Sequence, residues 1–202
     1  IEDSIGPLEW GSWEDFKLIR ERLIVEDASY EFDVGKLRKK LLLMKIQEQI
    51  SDPETANELS EKAFQLFFKE RNKVEFFPYV LDEIEKLAQI YELGCLTNGN
   101  ADIEMIGIGK FFKFNISSKD VNANKPNKNH FQKAVELLGI SKEEILHIGD
   151  HKINDMLGAI SYGVKALWFN PDKEDWDLDD IKKPSEFNSW QGVTEKINNF
   201  YS

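Results

Sequence analysis

Apolar positions along the chain change their rhythm near residue 77. Before that point they recur at helical spacing, first as Leu37, Leu41 and Met44. A second helix is predicted from Ser51-Asp52-Pro53, where Asp52 can cap and Pro53 suits the first turn. Its apolar face is expected to hold Ala56, Leu59, Ala63, Leu66 and Phe67, running on to the charged end at Arg71. From Pro78 the pattern alternates. A helix on Val80, Leu81, Ile84, Leu87 and Ala88 precedes a strand over 93–96, which stops at Thr97-Asn98-Gly99-Asn100. A short helix over 103–108 and a strand over 114–116 come next, then a polar loop ending at Lys125-Pro126. Phe131, Ala134, Val135 and Leu138 mark another helix. Ser141 and Glu144 form a capping box before a strand over 145–148 that ends at Gly149-Asp150. Ile153, Met156, Leu157 and Ile160 share a helix face, and residues 164–169 make a last strand. This rhythm predicts an α/β fold: a Rossmann-like parallel sheet with helices on both faces (residues 77–202) and a small α-helical cap (residues 1–76).

Composition narrows the class. With 202 residues there is room for one core and a modest insert. A net charge of −11 argues against a nucleic-acid partner and makes any cation near a site conspicuous. Cys95 is the single cysteine, which excludes an internal disulfide framework, and His130, His147 and His151 lack zinc-motif spacing. No apolar run reaches membrane-spanning length, and Ile1-Glu2-Asp3-Ser4 does not resemble a leader. A soluble, cytoplasmic protein without a membrane partner is expected.

In open parallel sheets ligands bind outside the carboxyl ends of the strands. Thr97, Lys125 and Asp150 each follow a predicted strand, and a hydroxyl, an ammonium and a carboxylate gathered there suit phosphoryl transfer. Each alone is a weak signal, since Thr-Asn-Gly is usually a turn and Lys-Pro usually a solvated loop. Asp155 lies opposite the apolar stripe of its helix.

Taken in order, Leu96-Thr97-Asn98-Gly99-Asn100, Lys125-Pro126 and Ile148-Gly149-Asp150 with Asp155 resemble the haloacid dehalogenase-like hydrolase superfamily, most strongly over residues 75–170 and on to Trp168-Phe169-Asn170-Pro171. The helical N-terminal third is similar to that family's small cap, which implies that helices from residues 13 to 70 cover the crevice and set substrate choice. Carried onto this chain, the resemblance implies that Thr97 and Asn98 bind phosphoryl oxygens and that Lys125 offsets their charge. It makes Asp150 and Asp155 the Mg²⁺ ligands, Asp150 the stronger. The implied activity is Mg²⁺-dependent hydrolysis of a small phosphate monoester, such as flavin mononucleotide or a sugar phosphate, through an aspartyl-phosphate.

One part of the pattern is missing from the sequence. The family nucleophile is the first Asp of an Asp-x-Asp motif after an apolar strand, and residues 1–10 hold no such strand. Asp177-Leu178-Asp179-Asp180 follows a charged segment and reads as a decoy, as does Phe32-Asp33-Val34-Gly35. The resemblance therefore implies a nucleophile strand upstream of Ile1, central in the sheet between the strands ending at Leu96 and Ile148, and an inactive chain without it. Gly107-x-Gly109 reads as a helix end rather than a dinucleotide turn. Phe64, Phe67, Phe68, Phe76, Phe77 and Tyr79 read as core and cap aromatics, and Arg71 as a solvated helix-terminal cation. Two alternatives stay open: a haloacid dehalogenase, in whose relatives Ser-Asn-type residues replace the metal-binding carboxylate, and a non-catalytic phosphate-binding module.

Overall fold

A computed structural model describes residue 8 and residues 11–199. The reading that residues 1–10 hold no nucleophile strand falls, apart from Leu8, outside these residues. The chain divides into two compact units, residues 1–74 with 99–106, and residues 75–98 with 107–202.

The first unit is helical. Helix α1 (Trp13–Glu26) starts at a capping box in which Ser12 and Asp15 satisfy each other's main-chain N–H groups. Helix α2 (Val34–Gln47) is capped by Asp33, whose carboxylate accepts from Lys36 N at 2.8 Å. Asp33 thus has a structural task, consistent with its reading as a decoy. Leu23, Leu37 and Leu41 form the centre of a small core. Helix α3 (Pro53–Arg71) begins as expected on the Asp52 cap with Pro53 in its first turn. Its buried line differs from the expected face: Ala56, Ser60 and Phe64 are buried, while Leu66 is 57% exposed. The buried positions step by four, and Ser60 can join them because its hydroxyl donates to the Asn57 carbonyl at 2.8 Å. Phe67, turned off that line, instead carries the Arg38 guanidinium 4.0 Å from its ring centre.

Residues 99–106 return to this unit. Asn72, 4% exposed, accepts from Asp102 N at 2.8 Å and donates to the Phe68 carbonyl at 2.8 Å, tying the segment to the end of α3. Helix α5 (Ile103–Ile106) stops earlier than expected because Gly107 takes φ +89°, the helix end read from the sequence.

The second unit is the α/β core. Helix α4 (Val80–Ala88) is followed by β1 (Gly94–Thr97), β2 (Phe114–Ser117), α6 (Ser118–Val121) and α7 (Asn129–Leu138). Then come β3 (Leu146–Gly149), a wide π-type turn Lys152–Leu157, α8 (Gly158–Tyr162), β4 (Lys165–Phe169), β5 (Ser185–Phe187) and α9 (Val193–Asn198). The last strand and helix were not legible in the periodicity, since three residues and six residues are too short to show one. All strand pairs are parallel. On β4, Ala166 and Trp168 face a core with Phe131 and Met156, while Leu167 and Phe169 face another with Leu87, Phe187 and Val193. Alternate residues buried on opposite sides are the mark of a parallel sheet covered on both faces.

Pairing stops at one place. β1 pairs with β2, and β3 with β4 and β5, but no strand joins β1 to β3 among the described residues. All four residues of β3 are only half-buried, although Leu146 and Ile148 are as apolar as the buried positions of β4.

Candidate active site

The polar groups converge at the carboxyl ends of β1 and β3. Lys125 is 7% exposed, and its ammonium donates to the Leu96 carbonyl at 2.7 Å and to Asp155 Oδ1 at 2.6 Å. Its main chain is held by Asn98: Lys125 N donates to Asn98 Oδ1 at 2.7 Å, and Asn98 Nδ2 donates to the Lys125 carbonyl at 2.9 Å. Ser118, fully buried, also donates to Asn98 Oδ1, at 3.2 Å. Asn98 therefore uses its side chain to fix the lysine loop.

Asp155 is 6% exposed and sits in the wide turn after β3. The turn is wide because Asp155 N and Met156 N both reach the His151 carbonyl, at 2.9 and 3.2 Å. The sequence predicts an ordinary helix there. The extra residue in the turn accompanies a side chain drawn inward, where Oδ2 accepts from His151 N at 3.1 Å and Oδ1 meets His147 Nε2 at 3.0 Å. Gly149 makes room for it: a Cβ on that residue would lie 2.4 Å from Asp155 Cγ. Burial pushes the Asp155 carboxyl up, but the His147 hydrogen bond and the Lys125 charge outweigh burial and hold it well below the carboxylate range. For His147 burial outweighs the Asp155 hydrogen bond and lowers its pKa, and Nε2, facing a carboxylate oxygen, is the ring nitrogen that donates.

Two histidines that zinc spacing dismissed thus belong to the site as supports. His147 stands edge-on to Phe131 at 5.1 Å between ring centres. His130, fully buried, contacts the Thr97 carbonyl through Nε2 at 3.2 Å, and burial lowers its pKa too. A usable signal was present for His147, which lies two residues before Gly149 and so on the same side of the strand.

Among the predicted site residues, the structure brings together Asn98, Lys125 and Asp155 directly, and Thr97 through its position at the end of β1 and its carbonyl contact with His130. Asp150 is exposed, and its carbonyl accepts from the Trp168 indole at 2.9 Å. Among the described residues no three His, Cys, Asp or Glu side chains gather as a metal cluster. The carboxylates of Asp150 and Asp155 are the hard oxygen donors at this end of β3. They suit Mg²⁺, which is typically held by one or two carboxylates with substrate oxygens and waters as its other ligands. Asp177, from the decoy motif, pairs with Lys152 at 3.2 Å on the surface. No described helix is long and apolar enough to cross a membrane.

The haloacid dehalogenase-like hydrolase family matches residues 26–169. The Escherichia coli 5-amino-6-(5-phospho-D-ribitylamino)uracil phosphatase is 29% identical over 168 residues, 81% of this chain and 71% of that protein. The Thermus thermophilus phosphoserine phosphatase is 29% identical over 140 residues, 66% of this chain and 55% of its own length. Among solved structures, a 2-haloacid dehalogenase from Pseudomonas syringae superposes with a TM-score of 0.88 at 30% identity, covering 98% of this chain and 84% of the other.

Proposed function

Because this chain belongs to the haloacid dehalogenase-like hydrolase family, we propose that it serves the Mg²⁺-dependent hydrolysis of small phosphate monoesters at the Lys125–Asp155 end of its sheet. The observation that carries this reading is the buried Lys125 ammonium, bonded to both the Leu96 carbonyl and Asp155 where β1 and β3 end. A buried cation in a chain of net charge −11 is matched to an anionic substrate. In this reading Lys125 neutralises the transferring phosphoryl group, and the Thr97 hydroxyl and the Asn98 main-chain N–H bind its oxygens. Asp150 and Asp155 hold Mg²⁺, which when bound draws charge from the phosphoryl oxygens.

We assign the nucleophile to an apolar strand ending in Asp-x-Asp that pairs with the facing edges of β1 and β3. The break in pairing between those strands supports the assignment. Phosphoryl transfer to its first Asp forms an aspartyl-phosphate as the leaving alcohol takes a proton from the second, and water then releases phosphate. The E. coli relative's named substrate is a ribityl phosphate, which favours a polyol or sugar phosphate, flavin mononucleotide included.

A dehalogenase is the second reading, favoured by the similarity to the P. syringae structure. The experiment joins an Asp-x-Asp strand to residues 1–202 and measures phosphate release from flavin mononucleotide and a sugar phosphate, and halide release from 2-chloropropionate. Phosphate release that requires Mg²⁺ and falls ~100-fold in Asp150→Asn is expected. Halide release that persists with chelator and in Asp150→Asn would establish the dehalogenase instead.

A further inference from the structure

The segment that carries Lys125 grips three consecutive residues at the end of β1. The Lys125 ammonium donates to the Leu96 carbonyl at 2.7 Å, and its main-chain N–H and C=O bond to the Asn98 side chain at 2.7 and 2.9 Å. Between those two grips the Thr97 carbonyl faces His130 Nε2 at 3.2 Å. His130 lies in the first turn of α7, which opens directly after the Lys125 loop, so one segment places both side chains. Thr97 is also held in parallel register with Ser117 of β2.

Packing alone gives no reason for an imidazole at this place. His130 is fully buried. A carbonyl oxygen can only accept, so Nε2 is the nitrogen that donates, and Nδ1 is left with no hydrogen-bond partner among the described residues. A bare buried nitrogen is unfavourable, and a leucine would fill similar space without one. Burial lowers the pKa of the ring and the Lys125 charge acts in the same direction, both favouring the uncharged form. What imidazole supplies and leucine does not is the N–H bonded to Thr97.

That bond bears on the geometry of the site. A peptide unit is planar, so a single soft torsion, ψ of Thr97, relates the Thr97 Cα to the peptide that joins it to Asn98. Asn98 in turn carries the main chain of Lys125. The torsion therefore sets the Thr97 side chain against the lysine, and a carbonyl held by His130 cannot turn. With the main chain fixed, the β-branched Thr97 has few side-chain rotamers left.

We propose that His130 is a positioning residue which, by holding the Thr97 carbonyl, fixes the Thr97 hydroxyl relative to the Lys125 ammonium, a role that rests on the hydrolytic reading of these two groups as phosphoryl ligands. The test compares two variants of the full chain: His130→Leu, which has no N–H, and His130→Gln, which carries one at similar reach. Thermal unfolding, scalar couplings that report the Thr97 rotamer, and a titration with inorganic phosphate followed at the Thr97 and Lys125 amides are measured on each. His130→Leu should unfold within a few degrees of the unsubstituted chain, yet Thr97 should pass from one rotamer to a mixture and phosphate should bind ~10-fold more weakly, the worth of about one hydrogen bond. His130→Gln should restore both the single rotamer and the affinity. A single Thr97 rotamer in folded His130→Leu would overturn the proposal, and if that variant does not fold, mixed rotamers in folded His130→Gln would do so. An unsubstituted chain whose Thr97 and Lys125 amides ignore phosphate would count against the hydrolytic reading instead, while the rotamer comparison would still decide what His130 holds.

Discussion

β3 and β4 lie side by side in one sheet and carry similar apolar runs, yet β4 is buried along all but its first residue while β3 is only half-buried throughout. The difference is one of neighbours. β4 is flanked by β3 and β5, whereas β3 has β4 on one side and no strand on the other among the described residues. Burial is therefore conferred by pairing, and an apolar sequence only permits it. The same contrast marks the candidate site. Lys125 and Asp155 gather at the ends of the two strands whose facing edges are unpaired, β1 and β3.

The largest effect should come from breaking the ion pair beside that gap. Removing one partner leaves an uncompensated buried charge, so Lys125→Met or Asp155→Asn should each cost about 3–5 kcal/mol in denaturant unfolding, and the double substitution less than their sum. The acid limb carries the sign. Because the folded-state pKa of Asp155 is lowered below that of an ordinary aspartate, its contribution is present above the ordinary value and is lost as pH falls below it. Asp155→Asn should flatten this part of the stability profile. Additive single effects with an unchanged acid limb would show that the two groups do not act as a pair.

Much of this arrangement could be read in the sequence, and the limits have physical causes. The αβ rhythm, the Asp52 and Ser141 caps and the Gly107 helix end depend on local spacing and were legible. Lys125 and Asp155 were readable as candidates because each follows a strand or its glycine-aspartate turn. Their direct bond spans thirty residues and arises from folding alone. His130 and His147 escaped because their roles lie in reaching a carbonyl or a carboxylate elsewhere in the fold. The inward turn of Asp155 depends on a widened helical turn over Gly149, which no apolar periodicity records. The buried line of α3 was misjudged for a similar reason, since Ser60 becomes acceptable in a core only once its hydroxyl is bonded.

A smaller effect would sharpen the comparison of the strands themselves. Leu167→Ala, at a fully buried position of β4, should cost about 2–5 kcal/mol. Ile148→Ala, half-buried on β3, should cost about 1–2 kcal/mol, in proportion to the area it hides. Joining an Asp-x-Asp strand to the chain should raise the second cost towards the first. Equal costs in residues 1–202 would mean that β3 is already enclosed, and the neighbour argument would fail.

The finest comparison concerns two glycines at which an added methyl meets close neighbours, one on each side of the gap. At Gly149 of β3 a Cβ would fall 2.4 Å from Asp155 Cγ, and at Gly94 of β1 it would fall 2.2 Å from Phe114 Cζ. The distances are similar, but the obstacles are not. Phe114 is half-buried and meets the methyl with the far end of a ring that can swing aside, so Gly94→Ala should cost within about 0.5 kcal/mol. Asp155 is pinned by His147, Lys125 and the His151 N–H, so Gly149→Ala must displace a buried carboxylate from its partners and should cost about 1–3 kcal/mol. Thermal unfolding of the two variants checks the ranking, and His147 supplies a local readout, because loss of its Asp155 contact should move its ring resonances in Gly149→Ala alone. Equal destabilisation with undisturbed His147 signals would show that the carboxylate yields as easily as the ring, and that the β3 side of the gap is no more firmly organised than the β1 side.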